Sequence, residues 1–148
     1  MKFIDSEHRQ FYRRSFEAPD CVHDGKHRSL FYMLGMFPEI RRNIGELYDY
    51  DRGAIRPEGL LQSWHTDGSI RAVRLAFNLF NGFNGFNGER QIEPESQYTL
   101  DKLFDTSLCD YYLEACRARY GYQPRYGWET MGDEFEDLNI NIDGFNLD

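Results

Sequence analysis

Four side chains within residues 71–81 have the types and the spacing for planar recognition. Arg71, Arg74, Asn78 and Asn81 fall at i, i+3, i+7 and i+10, a spacing that puts them on one strip of an α-helix. Guanidinium and carboxamide groups hydrogen-bond in a plane, so a carboxylate, a phosphate or a base edge suits such a strip. Arg41, Trp64, Arg117 and Arg119 are the cationic and aromatic residues that a fold could bring beside it. The candidate ligand site is therefore Arg41, Trp64, Arg74, Asn78, Asn81, Arg117 and Arg119, with a nucleotide as the ligand, bound or hydrolysed there. The plain alternative is an amphipathic helix whose Arg and Asn side chains satisfy carbonyls and carboxylates of the same chain.

Other constellations are weaker. Cys21, His23, Asp24 and His27 lie within seven residues, but structural zinc usually takes two separated ligand pairs, and here all four crowd one loop. The run Asp49-Tyr50-Asp51-Arg52-Gly53 fails as a calcium loop. With Gly53 at the sixth position, Tyr48, Tyr50 and Gly59 fall where oxygen ligands are required. Glu7-His8-Arg9 reads as an exposed first helical turn. No nucleophile motif and no glycine-rich phosphate loop is present. These absences favour a binder over an enzyme, with no metal or cofactor expected.

The second candidate site is at the C-terminus. Residues 129–148 hold seven acids and no Lys or Arg, which leaves 18 acidic against 17 basic residues elsewhere. The net charge of −8 thus belongs to this segment. Direct nucleic-acid binding is not expected, because that needs clustered positive charge. The acids are interspersed with apolar residues, so Asp133, Glu134, Phe135, Glu136, Asp137, Leu138, Ile140, Ile142 and Phe145 form an acidic-hydrophobic strip. Such a strip can add to a partner's sheet edge or lie along a basic groove.

Elements that position these residues follow from periodicity. At 148 residues, with 41% hydrophobic and 16% aromatic side chains, the chain has material for one core, built largely from rings. Asp5 or Ser6 caps a first helix to about residue 18, with Phe11, Tyr12 and Phe16 inward. A second begins near Lys26 with Leu30, Met33, Leu34 and Phe37 on one stripe. Pro38 opens a third that continues through Ile40, Ile44, Leu47 and Tyr48. A turn at 49–53 leads to a short helix with Leu60, Leu61 and Trp64. Asp67 or Ser69 caps the fifth, with Ile70, Val73, Phe77 and Phe80 on one face. Phe-Asn-Gly then repeats three times over residues 80–88, read as a helix end running into a flexible loop at about 81–97. Thr99 caps a short turn, and a last helix carries Leu108, Tyr111, Tyr112, Ala115 and Tyr120. The fold class is all-α: a compact bundle of five to seven short helices in one domain, residues 1–126. The acidic tail, 127–148, is strand-capable at Leu138-Asn139-Ile140-Asn141-Ile142.

Residues 27–82 resemble a family of short uncharacterised proteins of Gram-positive bacteria, their phages and mobile elements. Leu30-Phe31-Tyr32-Met33-Leu34-Gly35, Arg41-Arg42, Gly53-Ala54-Ile55, Leu60 and Trp64-His65-Thr66 carry the resemblance. So do Arg74-Leu75-Ala76-Phe77-Asn78-Leu79 and, later, Tyr111-Tyr112-Leu113-Glu114-Ala115 with Arg117, Arg119 and Tyr120. The likeness covers roughly residues 3–120. It implies a helical fold and a mobile-element setting, and no activity.

No apolar leader follows Met1-Lys2-Phe3-Ile4, and three sparse cysteines make no disulfide framework, so a cytoplasmic protein is expected. The leading functional expectation is a non-enzymatic binding protein, possible as a homo-oligomer. It would inhibit a host defence protein by protein–protein interaction, with its acidic tail on a basic surface of that partner.

Overall fold

The computed structural model describes residues 1–17 and 21–121, and the C-terminal tail lies outside them. Six α-helices are present among the described residues: α1 (Ser6–Arg14), α2 (Gly25–Leu34), α3 (Pro38–Arg42), α4 (Asp67–Asn81), α5 (Leu100–Leu103) and α6 (Cys109–Cys116). A π turn, Arg117–Gly121, extends α6. The all-α expectation needs one correction. Two small antiparallel hairpins are also present, β1 (Tyr48–Asp49) with β2 (Ala54–Ile55), and β3 (Phe86–Asn87) with β4 (Arg90–Gln91). None of the described helices is long and apolar enough to cross a membrane.

Helix α2 is the centre. Leu30, Phe31, Tyr32, Met33 and Leu34 are all buried, more than the single stripe that a 3.6 period suggests, because α1, α4, α6 and the π turn pack around it. A helix apolar on every side belongs inside. Asp24 caps it, its carboxylate accepting the His27 N–H at 2.9 Å. Against it lies α4, whose Ala72, Val73, Ala76, Phe77 and Phe80 are buried. The cap of α4 is Thr66 rather than Asp67 or Ser69. Its hydroxyl accepts the Ser69 N–H while Ser69 Oγ accepts the Thr66 N–H, a reciprocal capping box.

Several boundaries differ from the periodicity for local reasons. Helix α1 stops at Arg14, where Ser15 Oγ donates back to Phe11 O at 2.8 Å, a bond that competes with the helical ladder. The pattern over residues 38–48 predicts one helix, but α3 ends at Arg42. Asn43 Nδ2 donates to Glu39 O (2.7 Å), the residue has left helical angles, and only a 3-10 turn follows at Ile44–Glu46. Tyr48 is thereby delivered to a strand. The Leu60 segment is likewise a 3-10 turn, Pro57–Leu61. The Phe-Asn-Gly stretch is built into structure. Gly82 takes φ +79 to end α4, as a left-handed C-terminal residue should, and the third repeat enters β3.

One exposed turn is corrected as well. His8 is fully buried, packed on Tyr32 with ring centroids 4.6 Å apart. Its neighbours Glu7 and Arg9 are exposed.

Candidate functional site

The polar strip of α4 faces the chain's own loop. The Arg74 guanidinium meets Glu93 edge to edge, Nε donating to Oε1 at 2.9 Å and Nη2 to Oε2 at 2.7 Å. Its Nη1 donates to Gln97 Oε1 at 3.3 Å. Tyr98 O–H donates to the same Glu93 at 2.7 Å, and burial first, then Glu93, pushes the phenol's pKa well above its usual range. Asn78 Nδ2 donates to Phe83 O (3.0 Å) and Asn81 Oδ1 accepts the Phe83 N–H (3.1 Å). The Phe83 ring sits edge-on to Phe77 and Tyr98. Together these residues fasten the loop after α4 onto the helix.

The remaining residues of the predicted ligand site are dispersed. Arg119 Nε donates to Leu79 O at 2.8 Å, closing the carbonyl end of α4, where a cation is favoured. Arg117 pairs with Glu114 at 3.3 Å. Trp64 lies over the His65 ring, centroids 4.0 Å apart. His65 is itself held by Ser69 Oγ and Gly59 O, and burial lowers its pKa. Of these residues only Arg41 lines a groove between α1, α2, α3 and the β1–β2 hairpin. Asn81 lines another cleft, of about 590 Å³, with Asn84 and Asn87. The tail residues proposed for partner binding, from Asp133 to Phe145, lie outside the described residues.

The groove that Arg41 lines has a volume of about 820 Å³ and is built from four elements. One face of α1 supplies Phe11 and Arg14, spaced i, i+3. Helix α2 supplies His27 and Phe31, α3 supplies Arg41 and Arg42, and the β1–β2 hairpin supplies Tyr48 and Tyr50. The rings form a wall: Tyr48 stands edge-on to Phe31 (5.1 Å) and to Tyr50 (4.9 Å), while Phe31 and Tyr50 lie nearly parallel, 7° apart. Tyr50 is 56% exposed.

Charge in the groove is mostly positive. Arg41 is fixed by Nη1 donating to Gly35 O at 2.5 Å. Arg14 and Arg42 are exposed and make no ion pair with a described residue. Glu7 and Asp51 are the carboxylates of the lining. His27 closes one end, its Nδ1 2.7 Å from Asp24 Oδ1. Burial raises the Asp24 pKa, but the bonds from His27 outweigh it and hold the carboxyl below its ordinary value. Cys21 also lines this end, its thiol donating to Ser15 O at 3.2 Å. All three cysteines are outside disulfides. Of the quartet Cys21, His23, Asp24 and His27, the histidines go separate ways: His23 packs against Phe16 at 4.8 Å while His27 pairs with Asp24.

The site thus combines guanidinium groups with flat rings, a pairing that recognises an anionic group joined to an apolar or aromatic one. Sequence reasoning singled out Arg41 alone among its charged residues. Arg14, Arg42, Tyr48 and Tyr50 come together only through tertiary packing, and the doublet Arg41-Arg42 before a Tyr-Asp-Tyr-Asp run is the one local hint.

No curated protein and no solved structure matches the chain. Residues 1–131 match the pattern of a family of unknown function, a span that includes the groove and the α4 network and stops short of Asp133. By that match the chain belongs to the family of unknown function DUF6075.

Proposed function

We propose that the protein is a non-enzymatic binding protein that works by protein–protein interaction, gripping an acidic, ring-bearing segment of a partner in the groove between α1, α2, α3 and the β1–β2 hairpin. One observation carries this reading: Arg14 and Arg42 stand exposed, without an ion pair among the described residues, beside the exposed ring of Tyr50. Arginine and tyrosine are among the residues most enriched where interfaces concentrate their binding energy. The inhibitor role is part of the proposal: a captured segment is withheld from its other contacts.

A nucleotide at the Arg74, Asn78 and Asn81 face has less support, since those side chains are engaged by Glu93, Gln97 and Phe83. The test is fluorescence anisotropy with a labelled peptide of about ten residues, rich in Glu, Asp and Tyr and unrelated to this chain. Binding should weaken with salt and fall at least tenfold in Arg14→Glu/Arg42→Glu. Equal affinity in that variant, or no binding either by the wild type or by a form with Asp133, Glu134, Glu136 and Asp137 neutralised, rejects the groove as a peptide site.

A further inference from the structure

The chain carries a ligand of the class just described. Residues 129–148 hold seven carboxylates, no Lys or Arg, and the rings of Phe135 and Phe145. The groove offers the complementary set, guanidinium groups beside an exposed tyrosine ring.

The exit point of the described chain is close by. The π turn Arg117–Gly121 packs against α2, and it comes so near that a Cβ on Gly25 would collide with Arg119 O. Gly25 opens the helix that two residues later supplies His27 to the groove. Twenty-seven residues follow Gly121, and at roughly 3.3 Å per residue their reach is many times what this approach requires.

From the charge complementarity and this exit point, we infer that the acidic segment of the same chain docks in the groove and competes with an outside ligand for it. The inference rests on the proposed function and adds its regulation. A tethered ligand acts at an effective concentration of about millimolar. A segment with an intrinsic dissociation constant near 0.1 mM would then weaken an outside ligand about tenfold.

Cys21 makes the docking measurable in the intact protein, because its thiol lines the groove. The full chain, a tail variant (Asp133→Asn/Glu134→Gln/Glu136→Gln/Asp137→Asn) and a groove variant (Arg14→Gln/Arg42→Gln) are pulsed with neutral iodoacetamide at low salt. Modification at Cys21 is read by mass spectrometry against the Cys116 peptide. Cys21 should react at least threefold faster in both variants than in the wild type, with no further gain when they are combined. High salt should bring the wild type up to the variants. The groove variant separates docking from a through-space effect on the thiol. Losing nearby cations alone would disfavour the thiolate and slow the reaction, whereas undocking speeds it.

Equal rates in all forms, or a slower groove variant, overturn the inference. Protection that rises with protein concentration overturns it too, because the segment then reaches a second copy. Adding the unrelated acidic peptide to the tail variant tests the underlying reading separately. If that peptide shields Cys21 while the wild-type and tail-variant rates agree, the groove is a peptide site and only the self-docking is wrong.

Discussion

Arg74 and Glu93 are nineteen residues apart in sequence and joined by two parallel hydrogen bonds of 2.9 and 2.7 Å, with only 16% and 9% of their side chains exposed. The pair, with Tyr98 and Gln97 on its edges, is what returns the chain to α4 after the Phe-Asn-Gly stretch. Breaking it from one side strands a buried charge, which typically costs about 3–5 kcal/mol. Arg74→Ala should therefore destabilise the protein by an amount in that range in urea titrations, and Glu93→Ala by a similar one. Replacing both partners, Arg74→Met with Glu93→Leu, should recover most of the loss. A double variant no better than the singles would mean that the pair matters for more than its mutual neutralisation.

His8 gives the fold a pH dependence of predictable sign. Ile4 N–H donates to Nδ1 at 3.1 Å, so the ring proton sits on Nε2 and is donated to Tyr32 O at 2.7 Å. Burial is the main cause that lowers its pKa from 6.5 to about 4; Tyr32 O and Asp5 oppose, and Arg41 adds a smaller push down. As pH falls through this window the unfolded chain binds a proton that the folded one refuses, so stability drops with acidification, by about 3 kcal/mol in all. His8→Gln removes the titration. Stability curves of the two proteins should converge between pH 7 and pH 4.5, and parallel curves would show that His8 does not titrate as its burial requires.

Gly25 is a place where no side chain fits. A Cβ there would run into Arg119 O, a backbone atom of the π turn that cannot swing aside. Gly25→Ala should cost about 1–3 kcal/mol, the usual penalty of overpacking. It should also loosen the Arg117–Gly121 turn, seen as faster tryptic cleavage after Arg117 and Arg119. Unchanged cleavage with unchanged stability would mean that α2 and the turn separate at no cost.

What the sequence reveals depends on how local the cause is. Helix α2, the Pro38 start of α3 and the start of α1 at Ser6 are legible because caps, proline and spacing act within one turn. The break at Asn43 is not, since it depends on a side chain choosing Glu39 O over the helical path. His8 reads as polar and exposed because nothing nearby announces the carbonyl of Tyr32. The α4 strip is visible as a strip, yet what it faces is decided by Glu93 and Phe83, far along the chain. The groove is the extreme case. Its arginines and tyrosines come from three elements, and only the doublet Arg41-Arg42 gives a local hint.

The threefold Phe-Asn-Gly repeat also has an evolutionary consequence. Its copies are interchangeable as text but not as parts. Phe80 is in the helix, Phe83 in the loop and Phe86 in a strand. Asn81, Asn84 and Asn87 bond in turn to Phe83, Glu95 and Glu58. Removing any one unit yields the same shortened sequence, so replication slippage samples a single deletion and must lose one of three different jobs. Three identical words therefore do three different things, and none of them is spare.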